Sequence, residues 1–175
     1  MREKTYEQIS FLITKDIAEI YRYFSIYIYL FSKKAPEIKA GSYGGYDLVK
    51  LVEDFNTELN LKSSKLLKNV ENWFLISGRK LSKHQYERTI DMCTKPFISI
   101  IDDYSKAFKK EFDLNKTLEV SFVTSKNTIS SKIQSYLNTL SIISNSKLDK
   151  ALMWTALGTV FAGISLILSV IAIVS

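Results

Sequence analysis

Lysines carry most of the chemistry that this sequence offers. Lys33, Lys34, Lys39, Lys106, Lys109, Lys110 and Lys116 fall around two breaks in the helical pattern, and the first break contains Ala40-Gly41-Ser42-Tyr43-Gly44-Gly45-Tyr46. Backbone amides of a glycine-rich loop before a helix can hold a phosphate, lysines neutralise it, and Tyr43 and Tyr46 present faces on which bases stack. The expected ligand at these nine residues is nucleic acid or a nucleotide. The run lacks the Gly-Lys-Ser or Gly-Lys-Thr ending of a P-loop, and Asp47 at the helix start opposes an anion, so the recognition is not that of a P-loop enzyme.

Other reactive side chains are poorly placed for catalysis. Cys93 lies on an apolar helical stripe with Phe97, beside Met92, which is the setting of a packing thiol. His84 stands alone near a helix start. The carboxylate pairs Glu53-Asp54 and Asp102-Asp103 are adjacent in sequence, and neighbours on a helix point in different directions. With one Cys and one His the usual four-ligand zinc site is excluded, as is an internal disulfide. The expectation is a protein that is not an enzyme and needs no cofactor or metal.

The elements that must position the lysines follow from length and periodicity. A chain of 175 residues, with 24 Lys and Arg against 18 Asp and Glu, has room for one compact domain. A mean hydropathy of zero beside 24% charged residues implies that apolar residues are concentrated in one place. They are concentrated in residues 151–175, a run of 25 without a charge. As a helix this run would be about 37 Å long, against roughly 30 Å for a hydrocarbon core. A transmembrane helix over 149–175 is therefore expected after a helical domain over 1–148.

Lys147 and Lys150 before the span, with Trp154 one turn inside it, put the preceding domain in the cytoplasm. Nothing follows the span, and Met1-Arg2-Glu3-Lys4 lacks a signal-peptide core, so the expected placement is a single-pass, tail-anchored protein of the inner membrane. Ala151, Thr155, Gly158, Ala162, Ser165, Ser169 and Ala172 alternate steps of four and three, a small-residue seam that predicts homo-oligomeric packing or a narrow pore lining.

Four segments before the span have helical periodicity. The first runs from about Thr5 to Lys34 with Ile13, Ile17, Ile20, Phe24, Tyr27 and Phe31 on one stripe, and Ala35 to Tyr46 reads as a loop because of Pro36 and its glycines. The second runs from Asp47, a suitable N-cap, to Ile76, with Leu48, Val52, Phe55, Leu59, Leu66, Val70 and Trp73 apolar, and Gly78 stops it. Ser82 and Gln85 have capping-box spacing and open the third, whose stripe is Tyr86, Ile90, Cys93, Phe97, Ile100, Tyr104 and Phe108. Pro96 should bend this helix. The fourth carries Ile129, Ile133, Tyr136, Leu140 and Ile143. Strands over Tyr23–Phe31 and Thr117–Thr124 are the local alternatives.

Long helices with short connections predict an all-α, up-and-down cytosolic bundle. With the fourth helix running toward the membrane, the N-terminus and the second connection lie at the lipid surface. Arg2, Lys4, Arg79, Lys80 and Lys83 would then join Lys147 and Lys150 against anionic headgroups, at about 1 kcal/mol per cation.

A small helical domain followed by a hydrophobic span with a small-residue seam at 151–175 resembles the membrane effectors of bacterial anti-phage defence. The architecture is similar to that of the Hailong-type effector, in which single-stranded DNA oligomers made by a partner nucleotidyltransferase hold a membrane channel closed. The resemblance implies that the lysine-rich end senses such an oligomer or a nucleotide and that the seam is the gate. The length and C-terminal anchor also resemble a Bcl-2-like viral regulator that binds partner helices. Asn72-Trp73 matches the start of that family's Asn-Trp-Gly-Arg motif, but Phe74-Leu75 replaces Gly-Arg. A syntaxin-like fusion protein is the third architecture of this kind, with Gln134 on a short seam.

Overall fold

The computed structural model describes the backbone of residues 2–39, 45–77, 80–112 and 116–145, and the side chains of 5–39, 48–77, 80–112 and 116–142. Four helices account for nearly all of it: α1 (Arg2–Glu37), α2 (Gly45–Ser77), α3 (Lys83–Glu111) and α4 (Lys116–Asn145). Among the described residues there is no strand. The alternation that suggested one over Thr117–Thr124 is broken by burial: Leu118 and Phe122, four apart, are buried, while Val120 between them is 63% exposed. In Tyr23–Phe31 it is Phe24 and Phe31, seven apart, that are buried. Period 3.6 wins at both places because each segment has a single apolar neighbour surface to face.

The loop expected over Ala35 to Tyr46 is shorter than its Pro and Gly suggest. Helix α1 continues through Pro36 to Glu37, and Ile38 and Lys39 close it in a wider π turn. Proline removes one backbone donor here, but Ala35 and Ile38 are buried and extend the Phe31 stripe, which offsets that loss. At its start α2 takes in Gly45 and Tyr46, so Asp47 is a first-turn residue and not the N-cap. Helix α3 begins where the capping box predicts, with Ser82 accepting from the Gln85 amide and the Gln85 side chain accepting from the Ser82 amide. It runs unbroken through Pro96 to Glu111.

Contacts between particular residues fix the directions. Tyr6 meets Met92 and Phe31 meets Phe108, so α1 and α3 are parallel neighbours. Asn56 meets Ser125 and Glu71 meets Tyr136, so α2 and α4 are parallel as well. Phe24–Phe55 and Asp16–Asn69 make α1 and α2 antiparallel, and Tyr104–Phe122 with Asp102–Lys126 does the same for α3 and α4. Around the bundle the order is α1, α3, α4, α2, which leaves α2 and α3 across a diagonal. Successive helices alternate up and down, yet the α2–α3 connection joins diagonal partners.

The core is aromatic toward the pole where α1 and α3 end. Phe55 stacks on Tyr104 with ring centroids 3.9 Å apart, and Phe31, Phe108 and Phe122 close around that pair at 5.0–6.0 Å. One residue from each of α1, α2 and α4 thus converges on two from α3, tying all four helices together. In α2 the burial expected of Trp73 falls mainly on its neighbour Phe74, which is 6% exposed and stacks on Tyr86.

Candidate functional site

Parallel packing of α1 and α3 brings their basic ends together. Lys33, Lys34 and Lys39 at the end of α1 meet Lys106, Lys109 and Lys110 at the end of α3, with Lys116 opening α4 at the same pole. Several of these cations are already engaged. Lys39 Nζ donates to Glu111 Oε2 at 2.9 Å, Lys109 lies 3.4 Å from Glu119, and Lys106 lies 3.8 Å from Asp103. The hydrogen bond from Lys39 holds the Glu111 carboxyl below the usual carboxylate range. Lys33 Nζ sits 5.6 Å from the Tyr29 ring centroid, a cation–π contact.

Lys33, Lys34, Lys110 and Lys116 close no salt bridge among the described residues and are exposed, although the charge of Lys110 adds to that of Lys39 in lowering the Glu111 carboxyl. These four are the cations able to neutralise a phosphate at no cost in existing ion pairs. Of the four, Lys34 lines a cavity of about 230 Å³ together with Tyr27, Leu30, Phe31, Ile38, Leu51 and Tyr104. Tyr43 lies outside the described residues. Tyr46 belongs to the first turn of α2, and its side chain lies outside them too.

At the opposite pole α4 ends beside the start of α3, where Lys83 and Tyr86 face Asn138 and Ser141 across a shallow cavity. Lys80 and Lys83 are exposed there. Arg79, Lys147, Lys150, Trp154, the side chains of Arg2 and Lys4, and the seam Ala151, Thr155, Gly158, Ala162, Ser165, Ser169 and Ala172 lie outside the described residues. None of the described helices is long and apolar enough to cross a membrane.

Between the poles the structure holds a polar ladder, not anticipated from the sequence, in the α2–α4 interface. Ser125 donates to Asn56 Oδ1 at 2.7 Å. Lys132 Nζ reaches the Asn60 carbonyl (3.1 Å), Asn60 Oδ1 (3.3 Å), Ser63 Oγ (3.1 Å) and Ser64 Oγ (2.9 Å). Tyr136 donates to Glu71 Oε2 at 2.6 Å, and Lys68 lies 3.2 Å from the same oxygen. Lys132 has no carboxylate neighbour among the described residues, and burial pulls its pKa down to about 8. Such a ladder is costly unless every rung is made, so it fixes one axial position of α4 on α2. A sequence signal for it did exist: Ser63 and Glu71 fall on the four-residue series Phe55, Leu59, Leu67, where apolar residues are expected.

Cys93 is fully buried, and desolvation pushes its thiol up to about 12, so little thiolate forms near neutral pH. His84 is exposed, 4.0 Å from Glu87. Among the described residues no three of His, Cys, Asp or Glu gather as metal ligands would.

The chain matches no protein-family model, no curated protein and no solved structure.

Proposed function

We propose that this protein is a membrane effector whose four-helix bundle is the regulatory part and whose residues 151–175 are the membrane-active part. The observation that carries this reading is the course of α4. It starts among the lysines at Lys116 and ends at Asn145 on the opposite pole, shortly before the 25-residue uncharged run. A ligand held by Lys33, Lys34, Lys110 and Lys116 meets the first turn of the helix whose far end precedes the membrane segment. The rungs at Ser125, Lys132 and Tyr136 are made together or not at all, because a slip of one turn, about 5.4 Å, breaks each of them. A ligand that prefers one of two axial positions of α4 shifts the packing of the membrane segment beyond that helix.

In this reading the ligand is a nucleotide or a single-stranded DNA oligomer supplied by a partner nucleotidyltransferase. The chain self-associates along the small-residue seam in the inner membrane, and the biological setting is anti-phage defence. The Bcl-2-like alternative gains nothing from the fold, since each of the four helices keeps an exposed face and none is enclosed by the other three.

The test is membrane potential, read by dye, in bacteria expressing the full chain or the same chain ended at Leu148. Depolarisation by the full chain, lost on truncation and lost in Ser165→Leu, is the expected result. Equal potentials in all cultures would overturn the effector reading, and depolarisation retained in Ser165→Leu would remove the seam from it.

A further inference from the structure

The flank of the bundle between α1 and α2 holds a cleft that neither the lysine pole nor the polar ladder uses. It has a volume of about 180 Å³ and an apolar floor of Ile20 and Leu66. Its walls carry charges of both signs, Asp16 and Glu19 from α1 and Lys62 and Lys65 from α2.

Opposite charges facing one another across a helix pair usually close into ion pairs. Here they do not. The Asp16 carboxylate accepts from Asn69 Nδ2 at 2.7 Å, a neutral donor that orients it and leaves its charge uncompensated. The Lys62 ammonium lies 3.8 Å from the centroid of the Tyr23 ring, which orients it in turn. Tyr23 is itself held, its hydroxyl donating to Glu58 at 2.7 Å and its ring edge-on to Phe24 at 5.2 Å. Glu19 and Lys65 make no ion pair among the described residues. The cleft therefore offers an oriented anion at the level of Asn69 and an oriented cation at the level of Tyr23, seven residues or about 10 Å apart along the helices, over a greasy floor.

We propose that the α1–α2 cleft binds a small zwitterion, a dipeptide, whose separated termini can reach both oriented charges. Its ammonium is held by Asp16 and Glu19, its carboxylate by Lys62 and Lys65, and its side chain by Ile20 and Leu66. The volume is below the roughly 300–1,000 Å³ of pockets that enclose drug-sized molecules, which sets the ligand's size. A ligand with one charge would satisfy one wall and leave the other bare, so the site discriminates by requiring both. Because the cleft is open on one side, solvent screens these contacts and affinity is on the order of millimolar. α1 and α2 are less extensively packed together than any other neighbouring pair, which leaves room for the guest.

The test uses the full chain in detergent micelles and ligand-detected NMR with three probes: leucylglycine, its N-acetyl form and its C-terminal amide. Leucylglycine should bind, and each capped form should bind at least about tenfold more weakly. Asp16→Asn, which keeps a side chain able to pair with Asn69, should abolish the preference for a free ammonium. Lys62→Gln should abolish the preference for a free carboxylate. Circular dichroism unchanged in both variants shows that the bundle is intact. The proposal is overturned by no binding of leucylglycine into the tens of millimolar. It is equally overturned if the N-acetyl form binds as well as the free dipeptide, which would make the cleft a simple anion site, or if neither variant alters the ranking of the probes.

Discussion

Lys132 converts the α2–α4 ladder into a measurable dependence of stability on pH. Its ammonium is ringed by neutral acceptors on Asn60, Ser63 and Ser64, and desolvation lowers its pKa from 10.5 to about 8. Below pH 8 both folded and unfolded chains carry the proton, and the whole penalty of burying the cation is present. Between about 8 and 10.5 the unfolded chain binds more protons than the folded one, so this group makes stability rise with pH. From pH 7 to pH 9 two such pKa values give a gain of about 1 kcal/mol, which partial solvent access trims to roughly 0.5–1 kcal/mol. Lys132→Met removes the titration. The assay is urea unfolding, followed by far-ultraviolet ellipticity at both pH values, of the chain ended at Leu148, which keeps all four helices. Groups shared by the two proteins, including Cys93 and the buried tyrosines, cancel in the difference. The unsubstituted chain should gain on the variant by that amount between pH 7 and 9. A difference between the two that is constant with pH, or that shrinks, refutes the account of Lys132 as a desolvated cation.

Cys93 should resist a thiol reagent such as dithiobis-nitrobenzoate until urea unfolds the bundle; rapid labelling of the folded chain would contradict its burial. Because its folded pKa is raised, it should also cost stability as pH climbs above 9, where only the unfolded thiol ionises, and Cys93→Ala should flatten that decline. Phe55→Ala empties the place where α1, α2 and α3 meet around Tyr104 and should cost about 3–5 kcal/mol in the same urea assay. Ser82→Ala removes one half of a reciprocal cap and should cost about 1 kcal/mol, a loss that Ser82→Asp should largely restore.

The four helices were legible because each has one apolar face, and stripes such as Ile13-Ile17-Ile20-Phe24 and Phe97-Ile100-Tyr104-Phe108 have only one period that fits. The cap at Ser82 was legible because its partners are three residues apart. Pro36 misled, since its penalty is local and visible in the sequence whereas the burial of Ala35 and Ile38 that offsets it depends on neighbouring helices. The grouping of the lysines at one pole came from helix directions alone, and those are correct. What stayed hidden was pairing: that Lys39 goes to Glu111, 72 residues away, or that Lys132 lies among Asn60, Ser63 and Ser64, depends on which helices are edge neighbours. Periodicity is silent on that, and the diagonal α2–α3 relation runs against the expectation that short connections join adjacent helices.

That diagonal divides the bundle into two helical hairpins, α1–α2 and α3–α4, sharing a single tether over residues 78–82. The contacts that join the hairpins, α1 with α3, α2 with α4 and the ring pairs Phe55–Tyr104 and Phe74–Tyr86 across the diagonal, are the same whether one chain or two provide them. What keeps a hairpin at home is the effective concentration set by the connecting segment, which ends in the buried Leu81 and the helix-capping Ser82. Two chains held side by side at comparable density can trade hairpins with every rung of the ladder and every ring of the aromatic core intact. Were two chains to associate in this way, the same surfaces would serve both folding and association.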